Sequence, residues 1–335
     1  MRVDKVVITL GSPFGIGYEI FIRTFFETTL FKNKKPVCIG SSIILDFYLK
    51  MLNLKIDYYV INNENDLKFV LKNSNSINTS FFIINIDDIN TKTEKLEDIS
   101  PYIDGLIAYK SIKYAAQLVK EKIFKGVVTL PVNKKNINLI DNNFTGHTEF
   151  FRDFWEQKDV FMCFISKKIN ILLITTHIPL VKVSENLNEK NVENAILNAI
   201  SLKERLNLKK EICFLGLNPH AGEQGLLGYE EIWIKKIIDK INEKFKKVII
   251  IGPIPADTAF TKRNINKYSI FIALYHDQGL IPFKMLAFED GVNLSFGMDY
   301  IRTSVDHGTG VDLIGKKIAS LKSFINAYRL VLKLI

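Results

Sequence analysis

Hydrophobic residues along this chain gather in short runs, and amphipathic stretches separate the runs. Residues 6–10, 36–40, 57–61, 81–86 and 126–130 are rich in β-branched and aromatic side chains and read as buried strands. Residues 18–26, 42–52 and 105–122 carry apolar positions at helical spacing. In the last of these Leu106, Tyr109, Ile112, Ala116 and Val119 form one stripe. The second half repeats the alternation, with strands expected at 171–176, 211–219, 248–251 and 268–275. Helices are expected there at 150–155, 187–206 and 230–245. Strand and helix in alternation predict an α/β protein. The stretch 62–100 is polar and Asn-rich around the run at 81–86 and shows no chemistry. No repeat or flexible linker marks a boundary. A first domain of residues 1–130 plus 285–335 and a second of 131–284 are expected, the chain crossing near Pro131 and returning between 280 and 300.

The histidines change this picture. Each of His177, His220 and His276 follows a strand-like run and a short turn. In an open α/β sheet the carboxyl ends of strands border the ligand crevice. Three imidazoles placed there could share one divalent cation with a coordination position left open, which is a catalytic metal pattern. The alternative is three unrelated loop or core histidines. Asp257 and Asp277 also follow strands, and each is a candidate to orient an imidazole or to act as a base; the alternative for each is a helix cap. Lys134, after the strand at 126–130, is a third candidate base.

Gly146-His-Thr-Glu149 stands where a helix begins, so backbone N–H groups, His147 and Thr148 can face an anion. An ordinary Thr cap is the competing reading. Lys284, Asn293 and Arg302 have the donor chemistry of a phosphate pocket, or are three surface residues. Gly11, Gly15 and Gly17 follow the first strand with neither Rossmann nor Walker spacing. In residues 305–315, Gly308, Gly310 and Gly315 allow close backbone approach to a ligand, and His307 can stack on an adenine or bond a ribose.

Composition narrows the classes. With 335 residues and 47% hydrophobic residues the chain suits two domains, each with a core. The net charge of +9 is carried by scattered lysines with no interleaved aromatic motif, which argues against nucleic acid and suits an anionic metabolite. Cys38, Cys163 and Cys213 lie in apolar runs, as reduced thiols of a cytoplasmic protein do. No stretch reaches the ~18 apolar residues of a membrane span, and the start of the chain has no signal-peptide pattern.

Several longer matches bring these segments together: Gly-His-Thr-Glu at 146–149, Thr-Thr-His-Ile-Pro-Leu at 175–180 and Gly-Leu-Asn-Pro-His-Ala-Gly-Glu at 216–223. Gly-Pro-Ile-Pro-Ala-Asp-Thr at 252–258, Tyr-His-Asp-Gln-Gly at 275–279 and Ile-Arg-Thr-Ser-Val-Asp-His-Gly-Thr-Gly at 301–310 complete the set. From the first strand to the last motif the chain resembles the 4-hydroxythreonine-4-phosphate dehydrogenase family of vitamin B6 biosynthesis. The resemblance implies a two-domain α/β/α architecture like that of isocitrate and isopropylmalate dehydrogenases, with a central cleft and a homodimeric assembly. It implies NAD or NADP held by Asp306, His307, Gly308, Thr309, Asp312 and Gly315. One divalent ion (zinc, cobalt, magnesium or manganese) is implied on His177, His220 and His276, completed across the dimer interface. Substrate contacts are implied for His147, Thr148, Lys284, Asn293 and Arg302. The implied reaction oxidises C3 of 4-phosphooxy-L-threonine and then decarboxylates it to 3-amino-2-oxopropyl phosphate, on the route to pyridoxal phosphate.

Two other readings stand beside it: a same-fold dehydrogenase of another phosphorylated hydroxy acid, such as 4-phospho-threonate or -erythronate, and a metal hydrolase needing no nicotinamide. The chain departs from the family where Ser12, Phe14 and Tyr18 replace an acidic residue, a small residue and a proline. Ser12 is expected to remove a carboxylate near the cleft. Gly310 and Lys317 also differ.

Overall fold

The computed structural model describes residues 3–86 and 96–335. The first two residues and positions 87–95 of the polar stretch lie outside them. Twelve strands are found among the described residues: β1 (Val3–Thr9), β2 (Lys35–Gly40), β3 (Tyr58–Ile61), β4 (Phe81–Asn85), β5 (Gly126–Thr129), β6 (Phe161–Ile165), β7 (Asn170–Leu173), β8 (Glu211–Leu215), β9 (Ile250–Ile254), β10 (Tyr268–Ala273), β11 (Val292–Phe296) and β12 (Ile301–Val305). The chain divides into two compact units. Residues 1–157 with 299–333 form one, and residues 158–298 form the other.

In the first unit the strand order is β3-β4-β2-β1-β5-β12, and every pairing is parallel. β2 and β5 are buried along their whole length. That is why the sequence shows them as unbroken apolar runs. Phe21, Phe31, Phe81, Phe324 and Tyr328 interlock edge-to-face and tilted above this sheet, with centroids 5.1–6.5 Å apart.

In the second unit the order is β11-β6-β7-β10-β8-β9. β7, β10, β8 and β9 run parallel, whereas β6 is antiparallel to both β7 and β11. Ile171, Leu173, Cys213, Leu215, Phe271 and Phe283 lie in its core. All three cysteines are free and buried. Burial pushes the Cys213 thiol up to about 12, so it is a packing residue and not a nucleophile.

The chain leaves the first unit later than the expected crossing at 130/131, and it returns later than 284/285. Residues 131–157 stay with the first unit because their bonds do: Asn133 N–H donates to Ser12 Oγ at 2.9 Å and Trp155 Nε1 donates to Ala116 O at 2.9 Å. Some elements have no counterpart in the hydrophobic pattern. The helix Glu64–Asn73 occupies part of the Asn-rich stretch, capped by Asn63. β6, β11, β12 and the helix His276–Ala287, which holds Pro282 inside it, also appear. Among the described residues no helix is long and apolar enough to cross a membrane.

Candidate active site

In the first unit a basic corner forms where β5, β12 and one helix N-terminus meet. Parallel pairing puts Arg302 of β12 beside Val127 of β5. Its side chain, 2% exposed, donates from Nε and Nη2 to Thr129 Oγ1 at 3.2 and 2.8 Å and from Nη1 to Thr148 Oγ1 at 3.2 Å. Burial pushes this guanidinium down to about 9, with Glu149 opposing the shift, so it stays charged at neutral pH.

The helix His147–Phe154 starts at Gly146, with no side-chain cap bond. Thr148 is therefore not the cap; its hydroxyl receives Arg302. The backbone N–H groups of a first helical turn have no intrahelical partner. The side-chain ends of Glu149 and Lys134 crowd Gly146: a Cβ would stand 2.8 Å from Glu149 Oε2 and 3.3 Å from Lys134 Nζ. His147 lies against Phe151, with centroids 6.5 Å apart. Its Nε2 is buried without a hydrogen-bond partner. Burial, then the charges of Arg302 and Lys134, hold this imidazole well below its ordinary range, so it is neutral.

The glycine-rich turn after β1 packs against the loop from Asp306 to Gly315. Ile16 N–H donates to Thr309 O at 2.9 Å. Gly310 and Gly315 have φ of +55° and +75°, and Gly315 N–H donates to the buried Glu19 carboxylate at 2.7 Å. A Cβ on Gly308 would meet nothing within 4 Å, so the backbone there is open to close approach. His307 Nδ1 pairs with Gly308 O at 3.0 Å, and Asp312 lies in the single turn Val311–Leu313. Ser12 does not leave the turn without a carboxylate. Asp104, from the helix Pro101–Lys120, accepts from Ser12 Oγ at 3.0 Å, Phe14 N–H at 2.8 Å and Asn136 Nδ2 at 2.8 Å.

In the second unit the carboxyl ends of β7, β8 and β10 carry the other three histidines. The His177 and His276 rings lie 5.8 Å apart. Both line a cavity of about 300 Å³ with Thr176, Leu180, Tyr275 and Asp277. His276 Nδ1 pairs with Asp277 Oδ1 at 2.7 Å, which engages that nitrogen and leaves Nε2 open. Asp277 is thus not a helix cap, and neither is Asp257: the caps are Tyr275 and Pro255, without side-chain bonds.

His220 sits in an unusual segment. Residues 220–224 all have φ between 44° and 77°, a left-handed turn in which only residue 222 is glycine. No residue pattern announces it. Two buried side chains not singled out as candidate site residues hold it in place. Glu231 accepts the N–H groups of Leu217 and Asn218 at 2.8 and 2.7 Å. Gln278 accepts Leu274 N–H at 2.8 Å and donates to Gly216 O at 2.7 Å, tying the His276 turn to the His220 segment. Among the described residues no three His, Cys, Asp or Glu side chains group closely enough to hold a metal ion, so the single chain brings together two of the three imidazoles. Two neighbouring imidazoles have the donor chemistry that a borderline divalent cation takes.

Lys284 and Asn293 also belong to the second unit. Lys284 Nζ lies 5.4 Å from the Phe288 ring centroid. The Asn293 Oδ1 on β11 is buried without a hydrogen-bond partner.

Parallel strands with polar chemistry gathered at their ends define an α/β metabolic enzyme. Residues 32–331 match the family model described as pyridoxal phosphate biosynthetic protein PdxA, and the chain belongs to that family. It is 34% identical to a 4-hydroxythreonine-4-phosphate dehydrogenase of Aquifex aeolicus, over 98% of this chain and 97% of that protein. It is 33% identical to a D-threonate 4-phosphate dehydrogenase of Salmonella typhimurium over the whole of both chains. The crystal structure of a 4-hydroxythreonine-4-phosphate dehydrogenase from Klebsiella pneumoniae superposes with a TM-score of 0.82 at 30% identity, covering 100% of this chain and 98% of that one. In fold alone, isocitrate dehydrogenase from Methylococcus capsulatus aligns with a TM-score of 0.50 at 11% identity, covering 99% and 85% of the two chains. The expected fold class and family are borne out.

Proposed function

We propose that this enzyme oxidises the C3 hydroxyl of 4-phosphooxy-L-threonine with NAD or NADP and releases carbon dioxide to give 3-amino-2-oxopropyl phosphate. The observation that carries this reading is the corner around Arg302: a buried guanidinium, a helix N-terminus and a neutral His147 whose buried Nε2 lacks a partner. A dianionic phosphate satisfies all three, taking charge-assisted bonds from Arg302, backbone N–H groups from the helix and a proton donated by His147. Binding energy from this remote group then aligns the C3–H with the nicotinamide. The orphaned Asn293 Oδ1 calls for a donor, which the substrate's ammonium or hydroxyl provides.

His177, His220 and His276 are the residues to hold a divalent ion. Such an ion supplies positive charge beside the reacting hydroxyl, favouring its ionised form and the negative charge that develops on decarboxylation. Asp277 keeps His276 in its ligating tautomer, which leaves Lys134 and Asp257 to move the hydroxyl proton. Each histidine turn is followed by strongly exposed apolar side chains. Leu180 and Val181 come after His177, Leu226 and Tyr229 after His220, and Met285 and Phe288 after His276. A second copy of the chain, covering this surface and completing the ligand set, fits both facts.

A second substrate has its own support, since relatives named for D-threonate 4-phosphate are as similar as those named for 4-hydroxythreonine 4-phosphate. Turnover of each compound, followed by the appearance of reduced nicotinamide, decides between them. Oxidation of D-threonate 4-phosphate alone would remove the vitamin B6 assignment. Hydrolysis without any nicotinamide would remove the dehydrogenase reading.

A further inference from the structure

Among the buried charges of the first unit, Asp104 has a position that none of the roles above uses. It is 1% exposed, one turn into the helix Pro101–Lys120. Its two carboxylate oxygens accept from three groups far away in sequence: Ser12 Oγ and Phe14 N–H, on the glycine-rich turn, and Asn136 Nδ2, in the short helix Lys134–Ile137. Ser12 completes the ring, because its Oγ also accepts Asn133 N–H at 2.9 Å while its own N–H donates to Pro131 O at 3.0 Å. Gly105 lets the elements close. A Cβ there would lie 2.1 Å from Asn136 O. A buried carboxylate costs several kcal/mol to desolvate, and three donors offset that cost.

What the carboxylate joins gives it a function. The turn from Gly11 to Gly17 is the floor of the loop Asp306–Gly315: Ile16 N–H bonds Thr309 O, a Cβ on Gly15 would stand 3.2 Å from Thr309 O, and one on Gly310 would stand 2.8 Å from Ile16 Cδ1. The segment 133–136 carries Lys134, whose ammonium stands beside Gly146 at the basic corner. We propose that Asp104 is a positioning residue that fixes the cofactor-side turn and the Lys134 segment relative to each other, so that one buried carboxylate sets the geometry of both ligand sites of this unit. It touches neither ligand. It also supplies from the helix the carboxylate that Ser12 lacks, which makes Ser12 and Asp104 a matched pair.

The consequence for ligands rests on the dehydrogenase reading; the coupling itself does not. Hydrogen exchange of the unliganded full chain tests the coupling. In Asp104→Asn, amides of peptides spanning 10–17 and 131–138 are expected to exchange at least about tenfold faster, both together, with the rest of the unit unchanged. Acceleration of only one segment, or of neither, overturns the proposal. Steady-state kinetics test the consequence. Asp104→Asn is expected to raise KM for the nicotinamide cofactor and for the phosphorylated substrate by about tenfold each. A merely structural carboxylate would instead lower Tm and the active fraction with both KM values unchanged. The exchanged pair Ser12→Asp/Asp104→Ser, which returns a carboxylate to the same ring from the other side, is expected to recover at least half of the lost exchange protection. If it protects no better than Asp104→Asn, the matched-pair claim fails. Coupled exchange in a chain that turns over neither substrate would sink the assigned reaction and leave Asp104 in place.

Discussion

The two units hold their polar chemistry in opposite ways. At the basic corner of the first unit Arg302 is buried and locked onto Thr129 and Thr148, and no movement is needed before an anion arrives. At the histidine ends of the second unit the turns are strained, the rings line an open cavity, and Leu226 and Met285 are each 82% exposed. The first set of side chains is bonded together within one chain, whereas in the second only His177 and His276 have their rings close together among the described residues. The difference teaches that the chain preorganises the corner proposed to recognise the phosphate. On the proposed reading, the charge for catalysis is then left to a divalent ion and a second copy of the chain.

The largest effect that could break this comparison is at Arg302. Arg302→Ala is expected to cost about a thousandfold in kcat/KM for a phosphorylated substrate, since two or more charge-assisted bonds are lost at about 1.5–3 kcal/mol each. Activity on a dephosphorylated analogue should fall far less; an equal loss on both would make the corner structural. Next comes His220→Ala, expected to weaken divalent-metal affinity by roughly a hundredfold, measured by metal content after dialysis. Wild-type affinity should itself fall on dilution if a second copy completes the site, and sedimentation at the same concentrations checks that.

Smaller effects sharpen the contrast. Glu231→Gln removes the charge that gathers Leu217 and Asn218 N–H groups, and is expected to destabilise the second unit by about 1–2 kcal/mol in denaturant. The same loss in metal-saturated protein would show that the metal does not brace this turn. The smallest is a pH slope. Burial and the neighbouring cations keep His147 neutral in the folded chain, whereas an unfolded histidine protonates near pH ~6.5. The unfolded state therefore binds more protons in acid. Stability is full above about pH 6.5 and is lost as pH falls below it toward the depressed folded value. His147→Asn is expected to flatten this part of the stability profile, by up to about 1 kcal/mol between roughly pH 7 and 5.5. An unchanged slope would place the acid sensitivity elsewhere.

Much of this is legible from the residues alone. Buried parallel strands such as β2, β5 and β10 announce themselves as apolar runs, and the motifs at 146–149 and 301–310 lead to the corner that Arg302 and Thr148 form. What stays hidden depends on contacts distant along the chain. β6 and β11 are antiparallel partners more than a hundred residues apart in sequence, and nothing local distinguishes them from other apolar runs. Proline misleads in the same way, because Pro282 sits inside a helix that tertiary packing holds. Ser12 reads as a lost carboxylate, while the carboxylate its hydroxyl meets, Asp104, lies 92 positions later and is invisible locally. The boundary near residue 157 has no compositional mark, since side-chain bonds and not a linker decide it.

The left-handed run around His220 also inverts a habit of protein engineering. Glycine put in place of a larger residue usually loosens a fold. At Ala221 and Gln224 the backbone already occupies territory that side chains resist and glycine accepts without penalty. There the smallest residue would relieve tension, and a variant made smaller at either place should come out firmer, not looser.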